Sequence, residues 1–266
     1  MPDLIVGSSA RPDDEARVVK VTPASAGWEY VGFEVLRLAE GGTLKRVTNG
    51  NEVCLVVLSG YCDVSTAQEE WRGIGERDSV FEGPPHAVYL PPGTDYRIEA
   101  VTYLELAVCS APASEGVEAR LIRPADTEAG TRGSGNMERS ITNILMEDQP
   151  AERLLVVEVI TPAGHWSSYP PHKHDQDNLP VESYLEETYY HRVQPDQGFA
   201  LQWVYTEDRS LDETMTVQDG DTVLVPRGYH AVSAPPGYDL YYLNVMAGHV
   251  RRWKVRNDPD HEWLLG

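Results

Sequence analysis

The chain is poor in cysteine, in basic residues and in long apolar runs. Its three cysteines, Cys54, Cys62 and Cys109, show no CxxC spacing, so neither a disulfide framework nor a thiolate zinc site is predicted. No segment approaches the roughly 18 apolar residues that a membrane span needs, and the first residues lack a basic, apolar leader. We therefore expect a cytoplasmic protein without a membrane partner.

Basic residues are outnumbered by acidic ones. Forty-two Asp and Glu against 22 Lys and Arg give a formal net charge of −20 at pH 7, which repels a phosphate backbone. A nucleic-acid partner is therefore not expected. A small anionic substrate needs a local basic or metal-centred site that works against this field.

Long helical periodicity is also missing. No long stretch has a 3.6-residue apolar period, whereas short β-branched and aromatic runs between Gly and Pro turns are typical of strands. Strands are predicted over residues 29–38, 53–58, 86–91, 101–108, 153–160, 187–193, 199–205, 222–226 and 240–247. The sequence therefore predicts an all-β fold.

A small, polar and glycine-rich tract at 126–136 follows the first half of the chain. We predict a domain boundary near residue 120, with an N-terminal domain of residues 1–120 and a C-terminal domain of residues 121–266. In each half an apolar strand runs into a Pro-x-Gly turn, at 90–96 and at 225–230. This echo indicates an internal duplication of domain-sized segments.

The second half contains a set of residues that suits a metal ion. His172 and His174 stand at i and i+2, which on a strand point to the same face. Glu187 opens a predicted strand, and His230 follows the turn at 226–228. Three imidazoles and one carboxylate suit a divalent Zn, Mn, Fe, Ni or Co ion and leave coordination positions for a substrate.

This arrangement resembles the cupin pattern, in which His-x-His is followed by a Glu that heads a strand and by a Gly-x5-Pro-x-Gly turn with a His close behind. The resemblance implies two cupin β-barrels of jelly-roll type in tandem, with the metal site at the mouth of the second. The gap between His174 and Glu187 is longer than the usual cupin spacing. Glu182 and Glu186 are therefore rival carboxylates.

The first half keeps the turn but not the ligands. Tyr96 falls where a ligand histidine is expected, no His-x-His occurs, and Glu52 is a candidate remnant of the carboxylate position. We therefore predict a metal-free first barrel that serves packing, oligomerisation or coverage of the second site.

Longer motifs resemble the 5-deoxy-glucuronate isomerases of myo-inositol catabolism, and they lie at residues 166–175, 184–192, 228–230, 241–248 and 257–263. The resemblance implies an aldose–ketose isomerase, related to the uronate ketol-isomerases, that converts 5-deoxy-D-glucuronate into 2-deoxy-5-keto-D-gluconate. His165 stands where the family leads us to expect asparagine, which affects fine specificity and not the reaction class.

Such an isomerisation needs stabilisation of charge on oxygen and, on an enediol route, a base near the carbon-bound proton. Strand alternation puts Tyr189 and His191 on the face of Glu187. Tyr242 lies on a late predicted strand, and Glu182 lies in the insert beside the site. The catalytic candidates are therefore Tyr189, His191, Tyr242 and Glu182, although inward aromatic rings more often serve packing.

The implied substrate is a small sugar acid, whose carboxylate needs a cation. The candidates are Arg192, Arg153, Arg227 and Lys173. Arginine offers a bidentate fork, whereas Lys173 stands between two ligands and is expected to point away from the metal.

Two other functions fit the same ligand set: a metal-dependent dioxygenase, and a non-enzymatic bicupin that binds a sugar acid. Turnover without oxygen would exclude the first. The intact ligand set and the absence of a helix-turn-helix pattern argue against the second. A homo-oligomer is expected, because cupin barrel edges often pair between subunits.

Overall fold

A computed structural model describes residues 3–265. Strands dominate it, in the order β1 Ile5–Val6, β2 Arg17–Val21, β3 Gly32–Leu38, β4 Thr43–Val47, β5 Asn51–Ser59, β6 Cys62–Thr66, β7 Glu70–Ile74, β8 Ala87–Leu90, β9 Asp95–Ala100, β10 Leu104–Pro112, β11 Arg120–Ile122, β12 Glu128–Arg132, β13 Arg139–Leu145, β14 Leu155–Thr161, β15 Trp166–Lys173, β16 Asp175–Asn178, β17 Glu182–Tyr184, β18 Glu186–Gln194, β19 Phe199–Tyr205, β20 Asp212–Gln218, β21 Thr222–Val225, β22 Tyr229–Ser233, β23 Asp239–Ala247 and β24 Arg256–Asn257. Every strand that the sequence predicts overlaps one of these, so the all-β prediction is confirmed.

Helical structure in the described residues is confined to short segments. They are the helix α1 Pro23–Ala26 and the 3-10 turns Pro124–Asp126, Gly135–Met137 and Glu262–Leu265. None of the helices between residues 3 and 265 has the length and apolarity that crossing a membrane requires.

The chain divides into two compact units. The first unit comprises residues 8–128 and 143–156, and the second comprises the described residues of 1–7, 129–142 and 157–266. The tract at 126–136, which resembles a linker in the sequence, therefore belongs largely to the second unit. The division into folding domains at residue 120 stays a prediction, which limited proteolysis would test.

The first unit contains a six-stranded sheet, ordered β11-β8-β5-β10-β3-β2, and a four-stranded sheet, ordered β4-β9-β6-β7. Strand β5 is central and buried along nearly its whole length, which explains its continuous apolar run. Side chains from both sheets, among them Leu55, Leu106, Val64 and Ile98, form one hydrophobic core. Burial of these apolar faces stabilises the unit.

The second unit repeats this design with a seven-stranded sheet, β1-β21-β18-β23-β14-β13-β12, and a five-stranded sheet, β20-β19-β22-β15-β24. A separate two-stranded hairpin, β16-β17, follows β15. Strands β18 and β23 lie at the centre of the large sheet and are almost entirely buried. They present a rigid inner face on which polar residues can be positioned.

Strand register relates the carboxylate positions of the two units. In the second unit Glu187 lies opposite Val225, the last residue before the Pro-x-Gly turn. In the first unit the residue opposite Leu90, which also precedes its turn, is Val53. The interpretation of Glu52 as a remnant of the carboxylate ligand is therefore wrong by one residue, and Glu52 points to the other face of β5.

Register also relates the histidine positions. His230 on β22 lies opposite His172 on β15, whereas Tyr96 on β9 lies opposite Arg46 on β4. Tyr96 and Arg46 are thus paired across adjacent strands as His230 and His172 are, and the assignment of Tyr96 to the position of a ligand histidine stays a prediction.

Candidate metal centre

Three imidazoles meet at one end of the second unit. His172 lies on β15, His174 follows the end of that strand, and His230 is on the adjacent β22. One ring nitrogen from each lies within 4.8 Å of the others. The ring centroids of His172 and His230 are 4.6 Å apart, and those of His174 and His230 are 5.2 Å apart. Two strands of the five-stranded sheet, and the residue that directly follows one of them, thus supply the three nitrogens.

Glu187 reaches the same point from the seven-stranded sheet. Its Oε2 lies 3.0 Å from His174 Nε2 and 3.2 Å from His230 Nε2. Burial opposes the charge on this carboxyl, but the two imidazoles outweigh it and lower its pKa to about 2. Glu187 is therefore ionised and available as an oxygen ligand.

The outer ring nitrogens fix the orientation of two of the imidazoles. His174 Nδ1 lies 3.0 Å from the carbonyl oxygen of Leu185, and His230 Nδ1 lies 3.3 Å from that of Gly228. These contacts orient the two rings so that both Nε2 atoms face the centre of the cluster. His230 Nε2 is buried and, apart from its ionic contact with Glu187, has no polar partner among the described residues. This atom faces the centre of the cluster and is in position to bind a cation.

The donor set fits a divalent cation. Desolvation and the neighbouring imidazoles hold the pKa of His172 well below its usual range, so its ring is neutral and carries a free lone pair. With His174, His230 and Glu187 it offers three nitrogens and one oxygen. This combination suits a borderline transition metal better than calcium or magnesium, which prefer oxygen ligands.

The turn before His230 depends on glycine. Gly228 has φ +88°, and a Cβ placed on it would lie 2.4 Å from the carbonyl oxygen of Tyr205. A side chain at this position would therefore displace the turn that carries the third imidazole.

The insert between His174 and Glu187 forms the hairpin β16-β17, which Glu182 stabilises. The Glu182 carboxylate lies 2.9 Å from Lys173 Nζ and accepts the backbone N–H of Asp175 at 2.9 Å. The structure thus pairs Glu182 with Lys173 and not with the histidine cluster. The same ion pair directs Lys173 away from the cluster.

A hydroxyl network lies beside the cluster. Tyr189 Oη lies 3.0 Å from Ser168 Oγ, and Tyr242 Oη lies 3.4 Å from the same atom. Ser168 has φ +49°, an uncommon conformation for this residue type, and the sequence did not indicate it. Both tyrosines line a cavity of about 40 Å³ together with His172 and Glu187.

Burial raises the pKa of Tyr189 well above its usual value, and that of Tyr242 in the same direction. Both phenols are therefore protonated at neutral pH and act as donors. His191 lies behind Tyr189, with ring centroids 6.0 Å apart, and its Nε2 lies 2.8 Å from Gln202 Oε1. Burial lowers the pKa of His191 to about 4, so its ring is neutral as well.

The arginines predicted to meet a substrate carboxylate have other partners. Arg192 Nε donates to Asp219 at 2.8 Å, and alternation places it on the opposite face of β18 from Glu187. Arg227 is exposed. Arg153 belongs to the first unit, where its guanidinium lies 5.4 Å from the ring centre of Tyr30.

Two arginines that the sequence did not indicate line the cleft instead. Arg132 ends β12 and Arg139 begins β13. Together with His172 and Trp253 they line both the small cavity and an adjoining one of about 420 Å³. In the sequence these two arginines stand on either side of a glycine-rich turn, which is unusual in an acidic chain. Because the turn has the composition of a linker, the sequence did not indicate that the arginines belong to a binding site.

Comparison with known proteins supports the fold. The chain is similar to the crystal structure of an IolB-like protein from Salmonella typhimurium LT2, with a TM-score of 0.97, 46% identity and coverage of 99% of this chain and 100% of that one. It is also similar to Bacillus subtilis oxalate decarboxylase, with a TM-score of 0.68, 13% identity and coverage of 97% and 80%. This second likeness concerns the fold alone. The predicted fold of two cupin barrels is confirmed.

Sequence comparisons extend over nearly the whole chain. A protein named 5-deoxy-glucuronate isomerase from Geobacillus thermodenitrificans is 61% identical over 97% of this chain and 94% of its own length. A protein of the same name from Geobacillus kaustophilus is 60% identical over 100% and 96%. The model of the KduI/IolB family matches residues 4–264. Matches of this extent place the chain in the KduI/IolB family.

Proposed function

We propose that the protein is a metal-dependent aldose–ketose isomerase that converts 5-deoxy-D-glucuronate into 2-deoxy-5-keto-D-gluconate. The observation that carries the proposal is a cluster of three imidazoles and one carboxylate open to a cleft, in a chain 61% identical to a relative named 5-deoxy-glucuronate isomerase. No described feature favours a dioxygenase or a non-enzymatic binding protein.

The reaction moves one carbonyl to the neighbouring carbon without an oxidant. A C2–H bond breaks, a C1–H bond forms, and the proton of the C2 hydroxyl passes to the former aldehyde oxygen. Both the enediol and the hydride-shift routes develop negative charge on oxygen. A bound divalent metal supplies Lewis-acid stabilisation of that charge.

In this proposal His172, His174, His230 and Glu187 hold the ion, and the hydroxyl network works beside it. Tyr189 and Tyr242 are neutral phenols whose oxygens meet at Ser168 Oγ. They therefore act as hydrogen-bond donors to substrate oxygens and can return a proton to an oxygen as it develops charge. His191 positions Tyr189 by packing against its ring.

An anaerobic assay tests the proposal. Protein loaded with Zn, Mn, Fe, Ni or Co is incubated with 5-deoxy-D-glucuronate, and the ketone product is followed by NMR. We expect product without oxygen, and loss of product after the metal is removed with a chelator. The same mixture with oxygen should show no additional product. An absence of ketone with every metal would overturn the proposal, and a strict requirement for oxygen would favour a dioxygenase.

We extend the proposal to a cytoplasmic homo-oligomer that acts on a free sugar acid. The thiols of Cys54, Cys62 and Cys109 are buried and free, which fits a reducing compartment. Light scattering of the purified protein measures the number of subunits, and a monomer at micromolar concentration would contradict the oligomer.

A further inference from the structure

Arg139 is a cation without an acidic partner in an acidic protein. The chain carries 42 acidic residues against 22 basic ones, yet no carboxylate among residues 3–265 forms an ion pair with Arg139. Its Nη1 donates to the carbonyl oxygen of Met137 at 3.0 Å. Loss of hydration lowers the pKa of this half-buried guanidinium. A desolvated charge without a counter-ion is costly, and a bound anion would offset that cost.

The turn that carries Arg139 is built around its guanidinium. Gly133 follows β12 with φ +81°, and a Cβ on it would lie 2.7 Å from Arg139 Nη1 and 2.2 Å from the carbonyl oxygen of Met137. Any other residue at position 133 would therefore collide with both the guanidinium and its acceptor. The local backbone thus holds Arg139 in place independently of any ligand.

Arg139 shares its cleft with the metal-ligand cluster. It lines the small cavity with His172 and Glu187, and it lines the adjoining larger cavity with Arg132 and Trp253. The Arg132 guanidinium lies 5.1 Å from the ring centre of Trp253. The wall of this cleft is therefore positive on the side of β12 and β13, against the overall charge of the protein.

We propose that Arg139, supported by Arg132, binds the carboxylate of the sugar acid and selects aldoses with an anionic end. The inference rests on the proposed function. In a uronate the reacting carbons C1 and C2 and the carboxylate C6 lie at opposite ends of the chain, so the cluster and the arginine receive different ends of one molecule. A planar guanidinium binds a carboxylate through two parallel hydrogen bonds, which a neutral hydroxymethyl group cannot reproduce.

The test compares two substrates that differ only at C6. The metal-loaded protein is assayed with 5-deoxy-D-glucuronate and with neutral 5-deoxy-D-glucose, for the wild type, Arg139→Gln and Arg139→Lys. Arg120→Gln is a matched control, because Arg120 is also half-buried and desolvated but lies in the first unit. Metal content is measured for each protein, so that damage to the cluster is detected separately.

For Arg139→Gln we expect kcat/KM on the acid to fall about 10- to 100-fold, mainly through KM, while kcat/KM on the neutral sugar changes less than about threefold. Arg139→Lys should recover part of the loss, and Arg120→Gln should match the wild type. An equal loss on both substrates would mean a structural role and would overturn the proposal, as would kinetics on the acid within twofold of the wild type.

Binding measurements separate this inference from the proposed function. D-Glucuronate and D-glucose are titrated into the same metal-loaded proteins by calorimetry, where no turnover of 5-deoxy-glucuronate is required. Selective binding of D-glucuronate by the wild type, lost in Arg139→Gln, supports the carboxylate site even if the isomerase assay fails. Undetectable binding of D-glucuronate by the wild type, or unchanged affinity in the variant, would overturn it.

Discussion

The two units share a strand pairing but place opposite chemistry at the same positions. In the second unit His172 and His230 face each other across adjacent strands and belong to the candidate metal-ligand cluster. In the first unit the same pairing brings together Arg46 and Tyr96, and the Arg46 guanidinium is hydrogen-bonded to Glu34. In the first unit the corresponding place therefore holds the guanidinium of Arg46, which is already paired with the carboxylate of Glu34. That the first unit binds no metal ion stays a prediction.

The comparison extends to the carboxylates. Glu187 faces the imidazole cluster, whereas its counterpart in the first unit is the apolar Val53, which lines a cavity of about 540 Å³ with Arg46 and Tyr96. The neighbouring Glu52 points the other way and accepts backbone N–H groups. The two similar barrels thus differ in which face of one strand carries the acid. In the second unit it faces the candidate metal-ligand cluster, and in the first it accepts structural hydrogen bonds.

The largest expected effect comes from breaking the cluster. His172→Ala removes one of three imidazoles, so we expect loss of bound metal and a fall in turnover of roughly 10³-fold or more. Elemental analysis and the isomerase assay measure the two effects. Tyr96→Phe, at the position in the first unit that matches His230, is the control. A His172→Ala protein with full metal content and activity would remove the distinction between the units.

The sequence predicted what depends on local patterns. The strand β5 was visible because it is buried on both faces and is continuously apolar, and the three histidines were visible through His-x-His and the Pro-x-Gly turn. The sequence favours Glu187 over Glu182 because a strand follows Glu187 directly, but only tertiary contacts reveal that Lys173 neutralises Glu182.

Other features were not predicted, because their amino-acid composition is not typical of the structure that they form. Strands β4 and β20 are largely exposed along one face, so their polar residues did not resemble strands. The tract at 126–136 has the composition of a linker, yet it includes all of β12 and most of the turn before β13. Arg139 could not be selected from sequence, because its significance lies in the lack of an ion-pair partner among residues 3–265.

A second prediction concerns the hydrogen bonds that Glu52 accepts in the first unit. The Glu52 carboxylate accepts the backbone N–H groups of Glu152, Arg153 and Leu154 at 2.6 to 2.8 Å and the hydroxyl of Tyr89 at 2.7 Å. Glu52→Ala leaves these donors without an acceptor, so we expect the free energy of unfolding to fall by about 3 kcal/mol or more. Urea denaturation measures the change.

Metal content in Glu52→Ala should equal that of the wild type, because Glu52 belongs to the first unit. Loss of metal from the folded variant would contradict a purely structural role for this carboxylate. Glu52→Gln, which keeps one acceptor oxygen, should fall between the two proteins in stability.

A third effect compares the two turns. Gly228 and Gly93 both have positive φ, but a Cβ on Gly228 would collide with a backbone carbonyl, whereas one on Gly93 would meet nothing within 4 Å. Gly93→Ala should therefore cost only about 1 kcal/mol of backbone strain. Gly228→Ala should cost about 2–3 kcal/mol and weaken metal binding. Thermal unfolding measures the loss of stability in each variant, and titration measures the affinity for metal. Equal effects of the two substitutions would contradict the predicted difference between the turns.

The smallest effect is a pH dependence in the first unit. Burial opposes ionisation of Glu152, but the backbone N–H groups of Ser114, Glu115 and Gly116 outweigh it and lower the pKa from 4.5 to about 2. Because the folded-state pKa is depressed, this stabilisation is present above pH 4.5 and is lost as pH falls through 2.

Glu152→Gln cannot titrate, so its unfolding free energy should decline less steeply than that of the wild type across this window. Denaturation at a series of pH values measures the slopes. Identical slopes for the two proteins would contradict the depressed pKa.

Anomalous diffraction from crystals of the metal-loaded protein tests the central difference between the units most directly. We predict one anomalous peak per chain, about 2.0–2.2 Å from nitrogen atoms of His172, His174 and His230 and an oxygen of Glu187. No peak is expected between Arg46 and Tyr96. A vacant histidine cluster, or a peak of similar height in the first unit, would contradict the account.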